Sequence, residues 1–175
     1  LLFVRTSATI PPGITGELSV FLQPSETTAL PSPGEAVDFT LAVSGGRADP
    51  TAVVTQQVHF VTPEIHGLKV TGTPETIYSS PNGTNATELV LLNTGNVDET
   101  ITLALPPPAG FNVSGLTSPV TLGPGSAVTQ TVTFAAQNVA VDTDHRTRLV
   151  AQFGPTNGMA KEVEFQVHVA VPGAL

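Results

Sequence analysis

The chain has 175 residues, no cysteine, and 14 acidic against 6 basic side chains, for a formal charge of −8. That field, with no run of Lys or Arg to invert it locally, repels a phosphate backbone or an anionic leaflet, so neither nucleic acid nor membrane contact is expected of this segment. Without thiols there is no disulfide, no thiolate nucleophile and none of the usual structural zinc sites, and no cofactor is expected.

Taken in chain order, almost every segment alternates with period two. "LLFVRT" (1–6) and "ELSVFLQP" (17–24) open the chain in strand-like pattern without an initiating methionine, which reads as a piece of something longer. The turn "PSPGEA" (31–36) leads into Val37, Phe39, Leu41 and Val43 on one face, with Asp38, Thr40 and Ala42 between them. "VVTQQVHFVTP" (53–63) follows, then a short linker, "TPEIHG" (62–67). "SSPNGT" (79–84) and "NTGN" (93–96) bound the strand "LVLLNT" (89–94), and Ile101, Leu103 and Leu105 then alternate with Thr100, Thr102 and Ala104. "LGPGSA" (122–127) opens another long strand. "VDTDHRTR" (141–148) reads as a solvated loop before a strand at 148–153. In the last strand Val163, Phe165, Val167, Val169 and Val171 alternate with Glu162, Glu164, Gln166, His168 and Ala170. Strands with one face on a core and one toward water give this pattern, and no stretch of helical length carries a 3.6-residue stripe. Short strands bounded by Pro, Gly and Asn turns predict antiparallel sandwiches.

An internal repeat sets the boundaries. "LPSPGEAVDFTLAV" (30–43) matches "TLGPGSAVTQTVTF" (121–134) around a shared Pro-Gly-x-Ala-Val, and "VVTQQVHFVTP" matches "EVEFQVHVAVP" (162–172). Upstream, "LLFVRT" matches "LVLLNT" and "ELSVFLQP" matches "ETITLALP". The expectation is a tandem pair of immunoglobulin-like antiparallel β-sandwiches, all-β, with a first unit over 1–63 lacking its opening strand and a complete second unit over 64–175. An edge left open by that missing strand is suited to accept one from the same chain or from a neighbouring subunit.

Asn93, Gly95, Pro106, Gly110, Phe111, Pro124 and Gly125 carry a resemblance. A strand ending in Asn-x-Gly, a strand ending in Pro, a Gly-aromatic pair and a Pro-Gly entry together resemble the bacterial and archaeal immunoglobulin-like modules of the NEW3 and CARDB kind. The first unit departs from that pattern, with Arg5 where the turn asparagine belongs. The resemblance implies a secreted or cell-surface location and a role as spacer, stalk or accessory to a glycan-active enzyme or peptidase. On the residues themselves, Asn93 or Gly95 suits left-handed geometry between two strands, and Phe111 is expected to fold back as a core plug.

No catalytic constellation stands out. There is no G-x-S-x-G elbow, no H-E-x-x-H and no glycine-rich phosphate loop, and nothing pairs Glu75, Glu88, Asp98 or Glu99 across a sugar, so an enzyme is not expected. Asp142 and Asp144 are the best metal candidates, suited to a hard cation if a carbonyl joined them, against the plainer reading of a loop of weak ion pairs. His59 and His168 occupy matching repeat positions on a solvent face. Asn82, Asn85 and Asn112 head N-x-S/T sequons, each expected on a surface loop and open to glycosylation in an exported protein. With Tyr78 the single tyrosine and no tryptophan, glycan-stacking platforms are poor. The function expected is a non-catalytic structural or spacer module in an envelope layer, adhesin or filament. The alternative is a protein- or glycan-binding accessory of a secreted enzyme. Expected partners are other domains of the same longer chain, copies of itself, another surface protein or a glycan.

Overall fold

The computed structural model describes Pro11, Ile14 and residues 29–44 and 53–170. The chain divides into two compact units, Leu1–Glu64 and Ile65–Leu175. The expectations for the opening segments 1–6 and 17–24, for Arg5 and for Val171 and Pro172 lie outside the described residues. All regular structure described is β, apart from one turn of 3-10 helix at Pro155–Asn157.

In the first unit, β1 (Ala36–Ser44) pairs antiparallel with β2 (Val53–Val61), Ala36 opposite Val61. The pairing continues past the strands, where Thr62 N donates to Glu35 O and Gly34 N to Thr62 O, both at 2.9 Å. Gly34 supplies the left-handed residue of the Pro-Gly turn, with φ 78°. Register puts Val37 opposite Phe60 and Phe39 opposite Val58, so the alternation becomes one apolar face and one polar face bearing Asp38 and His59.

The second unit holds β3 (Leu68–Thr73), β4 (Thr76–Ser79), β5 (Thr84–Asn93), β6 (Glu99–Ala104), β7 (Phe111–Ser114), β8 (Val120–Leu122), β9 (Ala127–Ala136), β10 (Thr143–Phe153) and β11 (Met159–Val169). They form a four-stranded sheet, β3-β5-β9-β7, and a five-stranded sheet, β4-β11-β10-β6-β8, one of the sheets curling into a half-barrel. Every pairing is antiparallel except β4 with β11, which is parallel. Pro74 explains the exception: it cannot donate to a ladder, so β3 stops at Thr73 and the chain resumes as β4 on the edge of the other sheet.

Both sheets bury their alternate residues in one cluster. Leu89, Leu91, Val132 and Phe134 come from the first sheet, and Ile101, Leu149, Phe165, Val167 and Val169 from the second. Phe111 is part of it, as expected of a plug. The Phe165 ring of one sheet lies on bare backbone of the other at Gly72, at which an added Cβ would sit 2.3 Å from the ring.

Two expectations change. Only Val141 and Asp142 of the stretch 141–148 stay outside a strand: β10 starts at Thr143 and runs eleven residues, because Thr143, His145, Thr147, Leu149, Ala151 and Phe153 continue one inward parity while the charged residues take the other. The repeat does not carry over to strand neighbours either. β1 and β2 pair with each other, whereas their sequence matches β9 and β11 lie in different sheets.

Candidate functional site

The densest set of buried polar groups sits where β5 turns toward β6. Asn93, the last residue of β5, is fully buried. Its amide nitrogen donates to Val97 O at 2.7 Å and Leu122 O at 2.9 Å, and its amide oxygen accepts from Gly95 N at 2.8 Å. Its own backbone N and O bind Ser126 and Gly125. Asn93 thus ties together the β5–β6 turn, the end of β8 and the Pro-Gly turn before β9. Neither Asn93 nor Gly95 has positive φ, contrary to expectation. Gly95 is required by crowding, since a Cβ there would lie 2.2 Å from Ile65 O. The same turn receives the start of the unit: Ile65 N donates to the Asn96 side chain at 2.7 Å, Asn96 N to Ile65 O, and Thr94 N to Gly67 O, both at 2.9 Å.

Glu99 lies beside this turn with its side chain 2% exposed. One carboxylate oxygen meets His66 Nδ1 at 2.7 Å and the other accepts from Gly154 N at 2.9 Å, at the base of the β10–β11 loop. Burial of a carboxylate is tolerable only with such partners. Both oxygens are hydrogen-bonded to the scaffold, so Glu99 links the start of the unit to the β10–β11 loop. Its burial is legible in hindsight, because Glu99 shares parity with Ile101 and Leu103. His66 as its partner is not, being 33 positions away.

Three more buried polar side chains of the second unit are occupied in the same way, whereas the buried Thr62 hydroxyl of the first unit makes no hydrogen bond. Gln130 makes two hydrogen bonds to the backbone of Thr117, Thr87 donates to Pro74 O at 2.8 Å, and Thr147 donates to Pro106 O at 2.5 Å.

The outer face of the β4-β11-β10 sheet carries the exposed chemistry. Asp144, His168 and Tyr78 form a row across three strands by register. His168 Nδ1 lies 2.8 Å from Asp144, and its ring meets the Tyr78 ring edge-on at 5.7 Å. Hydrogen bonds from His168 and Gln166 hold the Asp144 carboxyl below its ordinary value of 3.8, with slight desolvation working against them. Arg146 with Glu164 at 3.3 Å and Arg148 with Glu162 at 3.1 Å extend the polar ladder. His59 of β2 repeats the arrangement in the first unit, 2.7 Å from Asp38. The repeated Q-V-H pattern signals the histidines, but their carboxylates come from strands that the repeat does not match.

Asp142 and Asp144 are separated by this arrangement. Asp142 occupies the turn before β10 with φ 56°, while Asp144 is on the strand and bound to His168. Among the described residues no three His, Asp or Glu side chains are grouped to hold a metal. His145 does not join them, packing edge-on against Phe111 at 5.2 Å.

The sequon asparagines are not all on loops. Asn82 is exposed in the β4–β5 turn, its amide oxygen accepting from Asn138 N at 2.7 Å. Asn85 is half-buried in β5, two residues from buried Thr87, and Asn112 is exposed on the edge strand β7. Among the described residues no helix is long and apolar enough to cross a membrane.

No protein-family model and no curated protein matches the chain. Among solved structures it is similar to a FixG-related protein from Vibrio parahaemolyticus, at 12% identity over 61% of this chain and 97% of that one, with a TM-score of 0.46. It is also similar to the secreted serine protease VesC of Vibrio cholerae, at 14% identity, 59% and 23% coverage and a TM-score of 0.44. The E. coli chaperone DraB follows at 12% identity, 62% and 58% coverage and a TM-score of 0.42. The chain spans under a quarter of VesC. At these scores no ligand, partner or activity passes from those proteins to this one.

Proposed function

We propose that the chain is a non-catalytic structural or spacer segment of a secreted or cell-surface protein, built from immunoglobulin-like modules. One observation carries this reading: the buried polar side chains Asn93, Gln130, Thr87, Thr147 and Glu99 all bind the scaffold's own backbone. Polar groups spent on scaffold bonds rigidify a fold, and these five are not available to a ligand.

Strand order supports the finer fold reading. Lettering β3, β5, β9 and β7 as A, B, E and D, and β6, β10 and β11 as C, F and G, reproduces the two faces of an immunoglobulin-like sandwich. The added strand β8 pairs beside β6 but follows β7 in sequence, a departure from that order.

The competing reading is a binding module, and the face that would carry it is the Asp144–His168–Tyr78 row, the best-organised exposed group of side chains. The experiment replaces Tyr78, His168 and Arg146 together by alanine in the natural protein. All three lie outside the core, so the fold is retained. A spacer keeps the surface display and activity of the parent protein; loss of either with the domain still folded and unfolding cooperatively makes the outer face a binding site and overturns the spacer reading.

A further inference from the structure

The chain contains two Asn-Gly dipeptides among its described residues, Asn82–Gly83 and Asn157–Gly158. Asn-Gly is chemically labile because glycine leaves its backbone nitrogen unhindered. That nitrogen attacks the asparagine Cγ, a new N–Cγ bond forms, the Cγ–Nδ2 bond breaks and ammonia leaves. Water then opens the succinimide at either carbonyl, giving aspartate or isoaspartate. By sequence the two sites are equivalent.

The fold makes them unequal. The nucleophile is engaged alike in both: Gly83 N donates to Ser80 O at 2.9 Å and Gly158 N to Pro155 O at 3.0 Å. The electrophile is not. The Asn82 amide oxygen accepts from Asn138 N at 2.7 Å, and the flanking backbone is tied down by Val139 N to Pro81 O and Ala136 N to Gly83 O. Asn157 stands exposed at the tip of the β10–β11 hairpin, and its side-chain amide makes no hydrogen bond among the described residues. Its backbone is left-handed at φ 54°, as is that of Thr156 beside it. Nothing holds the Asn157 carboxamide away from the Gly158 nitrogen.

We infer that Asn157 is a site of spontaneous deamidation in the folded protein and that Asn82 is protected by the turn that holds it. The fold tolerates the change at Asn157. The hairpin is closed below it by the Phe153–Met159 pair, and its base is held by Gly154 N on Glu99. Each event adds one negative charge to a chain already at −8 and, as isoaspartate, lengthens the loop backbone. At Asn82 the same lengthening would untie two turns.

The test follows aspartate and isoaspartate at both positions by peptide mapping of the full chain, made in a host that does not glycosylate and incubated folded in mildly alkaline buffer. One lost hydrogen bond sets the scale, so product at 157 accumulates about fivefold faster than at 82, within a range of roughly twofold to tenfold. In urea the two rates converge. Asn157→Gln abolishes the early product and leaves the chain folded, with a small loss of stability at most, because glutamine suits the left-handed backbone less well than asparagine. Equal native rates overturn the inference, as does a ratio that survives in urea, since neighbouring sequence rather than the fold would then set it.

Discussion

Replacing Asn93 by aspartate changes one amide nitrogen to an oxygen and leaves the shape of the side chain intact. The oxygen that accepts from Gly95 N is kept, but the donor to Val97 O and Leu122 O becomes an acceptor facing two carbonyls in a fully buried position. Alanine instead removes three hydrogen bonds and strands one N–H and two carbonyls. At a net 0.5–1.5 kcal/mol per bond, with the unsatisfied groups adding to the loss, Asn93→Ala costs about 3–5 kcal/mol. Asn93→Asp costs at least as much while it stays ionised, because repulsion is added to desolvation. For a domain of this size that lowers the midpoint of unfolding by roughly 13–20 °C. The assay is convenient, because the chain has no tryptophan and Tyr78 is its single tyrosine, so tyrosine fluorescence reports the second unit alone. Urea titrations read by that fluorescence give both variants. An aspartate variant within about 1 kcal/mol of the parent would refute the hydrogen-bond assignment and with it the view of Asn93 as the tie between the two turns.

Gly95→Ala places a methyl group 2.2 Å from Ile65 O, which is backbone and cannot rotate away; the expected loss is about 2 kcal/mol or more, read from the same titration. Glu99→Ala empties a buried site, strands the Gly154 N–H and takes one partner from the His66 ring; it costs about 3–5 kcal/mol, and amide exchange at Gly154 accelerates. Asp144 titrates below its ordinary 3.8 because His168 and Gln166 bind its charged form. A depressed carboxyl stabilises above its unfolded value and loses that contribution as pH falls through the folded one. The deficit of Asp144→Asn relative to the parent is therefore full at neutral pH and shrinks on acidification below about pH 4, in a series of thermal melts.

Much of the architecture is legible along the chain because period two and turn chemistry are local. Val163 to Val169 names its inward face by alternation alone, and Pro124–Gly125 announces its turn. Phe111 is found in the core as expected. What escapes is whatever depends on register between distant strands. The His168–Asp144 and His59–Asp38 pairs need β11 against β10 and β2 against β1, and His66 needs the start of the unit folded back on β6. The dense charge of 141–148 hides a strand, because its inward Thr143, His145 and Thr147 are polar and the apolar half begins only at Leu149. The parallel β4 escapes because a four-residue edge strand after Pro74 leaves little pattern to read. Gly95 looks like a turn glycine for its φ and is one for its lack of a side chain.

A spacer requires of the second unit only length and rigidity. In the natural protein, residues 65–170 are replaced by an unrelated β-sandwich of similar end-to-end span, and surface display and activity of the parent are measured beside the unaltered protein. Full retention is expected of a spacer. Loss of either, with the substitute folded and the parent exported, would contradict it and assign the second unit a recognition role of its own.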